Sequence, residues 1–302
     1  MNLKTCAAIA GFALALGACA THSVRQAAAP AAAPAPDRRL EIQAQAFESF
    51  MRRGRTISPN FAGPAQVSDA LATGAAYEPV ALESGMIAYA ALAALQEPDF
   101  VAGVRAQARG RGGGGLARRL TARPDLAGQL PGAPAAAARA SAALSHQGEA
   151  LDAEGGRVKA AAYGIQRQAW ARSKVADPRG RLERVKQIAR TGYRPADEDR
   201  AQLYRAVIQG PGRSAPATPA VQRGVALAAL SVLGDHDSGQ ALASEPHSAM
   251  CLRLAKLNFH QCLASAGPYY EDIYCLGQHA MIDPGRCVAE AAGASRPAPR
   301  RP

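Results

Sequence analysis

The chain has 302 residues, a formal net charge of +11 and an aromatic content of only 5%. Alanine, leucine, arginine and glutamine are frequent, and neither an alternating strand pattern nor an Asn-Gly hairpin signal occurs. This composition argues against a β-sheet protein, and the surplus of arginine directs attention to anionic partners.

The chain begins MNLKTCAAIAGFALALGACATH, in which Lys4 precedes an uncharged apolar run over residues 7–18. A helix needs roughly 20 apolar residues to cross a bilayer, so this run is typical of a secretory signal. It ends in Leu16-Gly17-Ala18-Cys19, which resembles the lipobox of bacterial lipoproteins. The resemblance implies that residues 1–18 are removed as a signal peptide and that Cys19 is acylated, with palmitate among its lipids. Because Ala20 and not aspartate follows, it also implies delivery to the outer membrane, facing the periplasm. An ordinary secretory signal with a chance cysteine is the alternative.

The mature chain divides by composition. Residues 19–38 form an Ala/Pro-rich tract that cannot bury a core and predicts a tether, and residues 293–302 form a disordered basic tail. Between them we predict a helical domain over residues 39–245. A four-cysteine helical hairpin over residues 246–292 is expected to pack on the same domain.

Residues that are typical of helix starts and ends recur along the domain. Thr218-Pro219 precedes an apolar stretch that stops at Gly234, and Asp177-Pro178 precedes one that stops at Gly192. Proline in the first turn and glycine after the last turn are typical of helix ends, since proline's missing N–H is harmless only at the start. The pattern predicts helices over 39–53, 64–73, 79–96, 98–110, 116–122, 134–153, 158–175, 178–192, 195–210 and 219–233, with a break or bend at Gly155-Gly156. The fold class expected is therefore all-α, an irregular multi-helix bundle or array with a disulfide-stapled C-terminal hairpin. The glycine-rich stretch between residues 108 and 120 is expected to be a flexible loop between helices.

The basic charge admits two interpretations. Because export makes nucleic acid an unsuitable partner, the anionic candidates are lipid headgroups, lipopolysaccharide phosphates and other anionic envelope polymers, beside another envelope protein. Alternatively, arginine is simply spread over solvated helix faces, since the basic residues form no long run.

Glu83 is the first candidate catalytic residue. Glu83-Ser84-Gly85 resembles the Glu-Ser opening of the lysozyme-like lytic transglycosylases, in which that glutamate is the general acid. The resemblance implies an apolar pocket that raises the pKa of Glu83. The Gly-Leu-Met-Gln segment and the later Asn/Ala/Gly motif of that family are absent. The alternative is a solvent-facing glutamate on an amphipathic helix.

The segment GDHDSG places Asp235, His236 and Asp237 just after a predicted helix end. These side chains are candidate metal ligands or an acid–base pair. A helix-ending glycine followed by an aspartate that caps the next turn is the alternative.

Tyr163 and Trp170 lie seven residues apart, which on one helix would place both rings on one face. They are candidate ligand-stacking residues, and core packing is the alternative.

Four cysteines remain between residues 251 and 287 once Cys6 and Cys19 are set aside. Gly267-Pro268 separates a helix over 247–266 from one over 268–281, after which Asp283-Pro284-Gly285 is expected to turn into a short end piece. The inner and the outer cysteine pairs each lie nearly equidistant from that turn, so an antiparallel hairpin favours the disulfides Cys251–Cys287 and Cys262–Cys275. The layout resembles in its geometry the helical hairpins of the coiled-coil-helix type. A four-cysteine zinc site is disfavoured because Cys-x-x-Cys spacing is absent.

These features predict a non-enzymatic cell-envelope lipoprotein that is anchored to the membrane and acts as a helical scaffold or interaction module. The alternatives are a peptidoglycan-acting enzyme with Glu83 as general acid, and a protein that binds a small apolar ligand. No metal, cofactor or nucleic-acid partner is expected.

Overall fold

The computed structural model describes residues 36–111, 113–208 and 216–295, without the side chains of residues 110–114. The predicted signal peptide, Cys19, nearly all of the tether and most of the basic tail lie outside the described residues. Within the described part the fold is all-α, as predicted, with thirteen α-helices and no β-strand. They are α1 (Arg38–Arg55), α2 (Pro64–Ala75), α3 (Pro79–Ala94), α4 (Pro98–Arg111), α5 (Gly113–Ala122), α6 (Ala133–Ile165), α7 (Ala169–Arg172), α8 (Pro178–Arg190), α9 (Asp197–Val207), α10 (Pro219–Leu233), α11 (Pro246–Ser265), α12 (Tyr269–Cys275) and α13 (Asp283–Ala291).

The predicted starts of α8 and α10 are confirmed by their N-caps. Thr218 Oγ1 accepts a hydrogen bond from the Val221 N–H at 3.2 Å, and Asp177 Oδ1 accepts one from the Gly180 N–H at 2.8 Å. Gly234 ends α10 with φ = 74°, a left-handed conformation that glycine adopts without steric cost. The loop expected between residues 108 and 120 is largely helical among the described residues, which belong to α4 up to Arg111 and to α5 from Gly113.

Helix α3 is the centre of the core. From Gly85 to its C-terminal end every residue is buried, as expected for a helix that is apolar on all sides. Gly85 lets α1 come close: a Cβ there would lie 2.6 Å from the Gln43 carbonyl oxygen and 2.9 Å from Phe47 Cβ. Gly224 of α10 is similarly close to Ala90 on another side of α3. The helix is therefore enclosed by neighbours on several sides.

Helix α6 runs for 33 residues without interruption, so of the break or bend predicted at Gly155-Gly156 the break is wrong. Gly155 is instead a contact residue, since a Cβ there would lie 2.8 Å from the Ile282 nitrogen and 2.9 Å from the Gly277 carbonyl oxygen. Gly148, two turns earlier, meets the backbone of Gly285 in the same way. These glycines let α6 and the C-terminal arm pack with their backbones in near contact.

The C-terminal hairpin has the predicted disulfides. Cys251–Cys287 and Cys262–Cys275 join its two arms, with Cα–Cα distances of 5.7 and 5.6 Å. The second arm differs from the prediction: after α12 it continues as a π-helical segment, Leu276–Ile282, and then as α13, so Asp283-Pro284-Gly285 lies within a helical arm. A proline ring would collide with the carbonyl four residues earlier in a regular α-helix, and the wider π turn before Pro284 relieves that collision.

Candidate functional site

Glu83 is buried, which corrects the expectation of a solvent-facing side chain. Only 1% of it is exposed. Its carboxylate accepts hydrogen bonds from the Ser244 hydroxyl, at 3.0 and 3.2 Å, and from the Glu245 N–H at 2.5 Å. Burial raises the pKa of Glu83, although these hydrogen bonds act in the opposite direction.

The partners of Glu83 belong to the start of α11. Glu245 is the N-cap of that helix, and its carboxylate accepts hydrogen bonds from the N–H groups of His247 and Ser248 at 3.0 and 2.8 Å. Burial opposes ionisation of Glu245, but the hydrogen bonds outweigh it and lower its pKa. Glu245-Pro246 repeats the Glu-Pro pattern that opens α3 and α4, so the sequence carried a signal for this cap. Glu83 therefore joins α3 to the beginning of the stapled hairpin.

Asp235, His236 and Asp237 lie between the end of α10 and the start of a 3-10 turn. Asp235 accepts hydrogen bonds from the Ser238 N–H at 3.1 Å and the Ser238 hydroxyl at 2.9 Å, at the start of the 3-10 turn Ser238–Leu242. His236 and Asp237 are exposed and form no hydrogen bond or ion pair within the described residues. Across the described part of the chain, no three His, Cys, Asp or Glu side chains are grouped so as to hold a metal ion.

Tyr163 and Trp170 do not share a helix face. Helix α6 ends at Ile165, and Trp170 lies on the short helix α7 after a turn. Tyr163 is 57% exposed and packs edge-on against Tyr274 at 6.1 Å between ring centroids, whereas Trp170 packs against Tyr269 at 6.5 Å. Both rings therefore rest on the second arm of the hairpin.

A cleft of about 280 Å³ lies between α1, the junction of α2 and α3, and the turn after α8. Its apolar wall includes Phe50, Tyr77 and Ile188, and Arg53 and Arg194 also line it. The cleft is at the small end of the range for ligand pockets, and neither Glu83 nor the predicted aromatic pair lines it.

A buried carboxylate holds this side of the fold together. Asp199, fully buried, accepts hydrogen bonds from the Arg52 guanidinium at 2.5 Å and the Tyr193 hydroxyl at 2.7 Å. Burial alone would raise the pKa of Asp199, but these contacts and the Ala196 N–H outweigh it and hold that pKa below its usual range.

Lys256 is a buried cation on α11. It is 5% exposed, donates a hydrogen bond to the Ala75 carbonyl at 2.8 Å, and lies 4.1 Å from the centroid of the Tyr77 ring. Burial lowers the pKa of Lys256 to about 7, although the nearby carboxylate of Glu78 acts in the opposite direction.

Basic charge is concentrated in one part of the sequence, although the basic residues there form no continuous run. Residues 167–194, here called the basic segment, contain nine Lys or Arg and two acidic residues, a net charge of +7 out of the total of +11. Six of its cations are exposed and form no ion pair or hydrogen bond with an acidic side chain among the described residues: Arg167, Arg172, Lys174, Arg179, Arg190 and Arg194. Summing charge over a sliding window would have found this segment.

The basic segment is fixed to the turn of the stapled hairpin. The Val175 N–H donates to the Gly267 carbonyl at 2.9 Å, and Lys174 pairs with Pro268 in an isolated β-bridge. Arg181 is 5% exposed and donates to Asp272 and to the Leu263 carbonyl. Burial raises the pKa of Asp272 to about 6, against the lowering effect of Arg181. The sequence offered no signal for this pair, since the two residues lie 91 positions apart.

Comparison of the chain with protein-family models, curated proteins and solved structures found no match. Among the described helices no single one is long and apolar enough to span a bilayer; α3 and α4 meet the length and composition test only as a pair bent by 92°.

Proposed function

We propose that this chain is a non-enzymatic lipoprotein of the cell envelope, anchored through Cys19 to the outer membrane and facing the periplasm. Its helical domain acts as a scaffold or interaction module, whose partner is an anionic envelope component or another envelope protein. The Ala/Pro-rich tether holds that domain at the membrane.

The pairing of all four C-terminal cysteines carries the proposal. Disulfides persist in oxidising compartments such as the bacterial periplasm and are rare in the cytosol. Cys251–Cys287 and Cys262–Cys275 account for every cysteine after the predicted acylation site. A chain with this pattern is suited to export, and the lipobox-like sequence before Cys19 supplies a matching signal.

The contacts of Glu83 favour an interaction module over the peptidoglycan-acting enzyme. A general acid has to reach a substrate oxygen, whereas Glu83 is 99% buried and its carboxylate is engaged by Ser244 and the Glu245 backbone. The apolar-ligand alternative loses its support as well, because Tyr163 and Trp170 pack on the hairpin and not around the described cleft.

The anchor is tested by replacing Cys19→Ser and following the protein in fractionated cells. We expect the wild-type protein in the membrane pellet after a wash at high salt, and the variant in the soluble periplasmic fraction after the same wash. The high-salt wash removes electrostatic attachment and leaves lipid anchoring in place. Cys6→Ser is the matched control, because Cys6 lies within the predicted signal peptide and its loss should leave the protein in the pellet. A Cys19→Ser protein that has lost residues 1–18 and still stays in the washed pellet would refute the anchor.

A further inference from the structure

The basic segment carries more positive charge than its fold requires. Arg181 is the cation that the packing uses, because it is buried against Asp272 and two hairpin carbonyls. Arg172, Lys174 and Arg179 are exposed and form no described bond with an acidic side chain. Exposed like charges repel one another, so a surface that keeps them unpaired is suited to an anionic partner.

Aromatic side chains accompany these cations. Trp170, the only tryptophan of the chain, lies at the beginning of the segment and packs against Tyr269 of the hairpin. Tyr163 lies just before the segment and packs against Tyr274. Tyr163 is 57% exposed and Trp170 is half-buried. Tryptophan and tyrosine beside lysine and arginine are typical of surfaces that lie at the boundary between lipid headgroups and acyl chains.

The basic segment is hydrogen-bonded to the hairpin turn near its beginning, and its other end leads into a groove that Pro36 lines. Residues 173–175 are hydrogen-bonded to the hairpin turn, and the disulfide Cys262–Cys275 closes the hairpin just beyond it. Pro36, the first described residue, lines one groove together with Pro195, which directly follows Arg194. The seventeen residues from Cys19 to the first described residue span at most roughly 60 Å, so a lipid on Cys19 would hold this surface within reach of the bilayer.

We propose that residues Tyr163, Trp170, Arg172, Lys174 and Arg179 form a docking surface for a membrane that exposes anionic phospholipid headgroups. The cations contact the headgroup phosphates and the aromatic rings enter the interface between headgroups and acyl chains. The biological setting of this inference rests on the proposed envelope location, because anionic leaflets are then the nearest polyanionic surface. Its physical test does not depend on that location.

The test uses the full chain carrying Cys19→Ser, so that no lipid anchor contributes. The probes are vesicles of phosphatidylcholine with one third phosphatidylglycerol, vesicles of phosphatidylcholine alone, and soluble polyphosphate. Binding is measured by co-sedimentation, and the emission of Trp170 reports whether the proposed surface is the part that meets the lipid. We expect binding to the anionic vesicles with a blue shift of Trp170 emission, and at least tenfold weaker binding to the neutral vesicles. Attachment through the apolar residues 7–18 would be independent of lipid charge and would leave Trp170 unchanged.

The variant Arg172→Gln/Lys174→Gln/Arg179→Gln isolates the cations. Each basic residue near an anionic membrane contributes about a fivefold factor in affinity, so three replacements should weaken binding by up to about 100-fold. Arg109→Gln/Arg118→Gln/Arg119→Gln is the matched control: it removes the same charge from exposed positions on α4 and α5 and should change binding by less than about threefold. Unchanged thermal melting of both variants excludes loss of the fold.

The proposal would be overturned by absence of binding to anionic vesicles, by equal binding to neutral vesicles, by equal weakening in the control variant, or by binding without a change in Trp170 emission. A larger Trp170 response to polyphosphate than to vesicles would instead assign the surface to a soluble polyanion and also refute membrane docking. A failure here leaves the Cys19 anchor standing, and a failure of the anchor in washed pellets leaves this surface standing.

Discussion

Replacement of Gly155 by alanine tests the close packing between α6 and the C-terminal arm. A Cβ at this position would lie 2.8 Å from both the Ile282 nitrogen and Met281 Cβ, and 2.9 Å from the Gly277 carbonyl oxygen. Two of these atoms belong to the backbone, so they move only if the whole arm shifts. The arm is held by two disulfides and by a reciprocal contact in which Gly277 meets the backbone of Lys159.

The neighbouring Gly156 provides the matched control. It lies in the same helix, is exposed, and would place its Cβ in open space. Glycine in the interior of a helix is less favourable than alanine by about 1 kcal/mol, so Gly156→Ala should stabilise the protein by up to that amount. Gly155→Ala gains the same helix propensity but overfills a close contact, which typically costs about 1–3 kcal/mol and more where backbone atoms are involved.

We therefore expect the two variants to differ by about 1–3 kcal/mol or somewhat more in the free energy of unfolding, with Gly156→Ala the more stable, because the gain in helix propensity is common to both. For a domain of this size the difference corresponds to roughly 3–12 °C in Tm. Urea unfolding under non-reducing conditions, followed by far-ultraviolet circular dichroism and by Trp170 fluorescence, measures it and checks that the two probes agree. If Gly155→Ala stabilises the protein as much as Gly156→Ala does, the backbone-to-backbone contact is refuted.

Two further predictions concern groups in the hairpin. Burial gives Lys256 a pKa of about 7 in the folded protein, against the ordinary value of 10.5 in the unfolded chain. Between these two pH values the unfolded state binds more protons than the folded state. The free energy of unfolding should therefore rise with pH across that window, by up to about 5 kcal/mol. Lys256→Met should flatten the rise in urea unfolding experiments between pH 7 and 9.5, and a wild-type slope in the variant would contradict the burial of an ionisable amine. Removal of the inner disulfide by Cys262→Ser/Cys275→Ser should cost about 3 kcal/mol, from the loop of 13 residues that it closes. Indistinguishable urea midpoints for variant and wild type under non-reducing conditions would contradict this estimate.

Local signals in the sequence determined much of the secondary structure. Proline after Thr218 or Asp177, and glycine after the last apolar turn, act within one helix end, so their positions could be read without knowing any neighbour. The disulfide pairing was determined in the same way, because the cysteines lie symmetrically about a single turn and the hairpin is a local structure.

Tertiary structure alone decided the roles of residues whose partners are distant. A glycine such as Gly155 inside a helical pattern is typical of a helix break. Only the packing of the second arm of the hairpin against it shows that the missing side chain makes room for a neighbouring backbone. The sequence around Glu83 is typical of a glutamate on a helix surface. Only the packing of the start of α11 buries it against the N–H of Glu245, which lies 162 residues later in the chain. Arg181 is indistinguishable in sequence from the exposed arginines around it until Asp272 and the hairpin carbonyls enclose it. Helix signals depend on a few adjacent residues, whereas burial and pairing depend on which distant surfaces meet. The sequence therefore determined where the helices and staples form, and the packing of the helices decided which charges support the fold and which remain exposed for a partner.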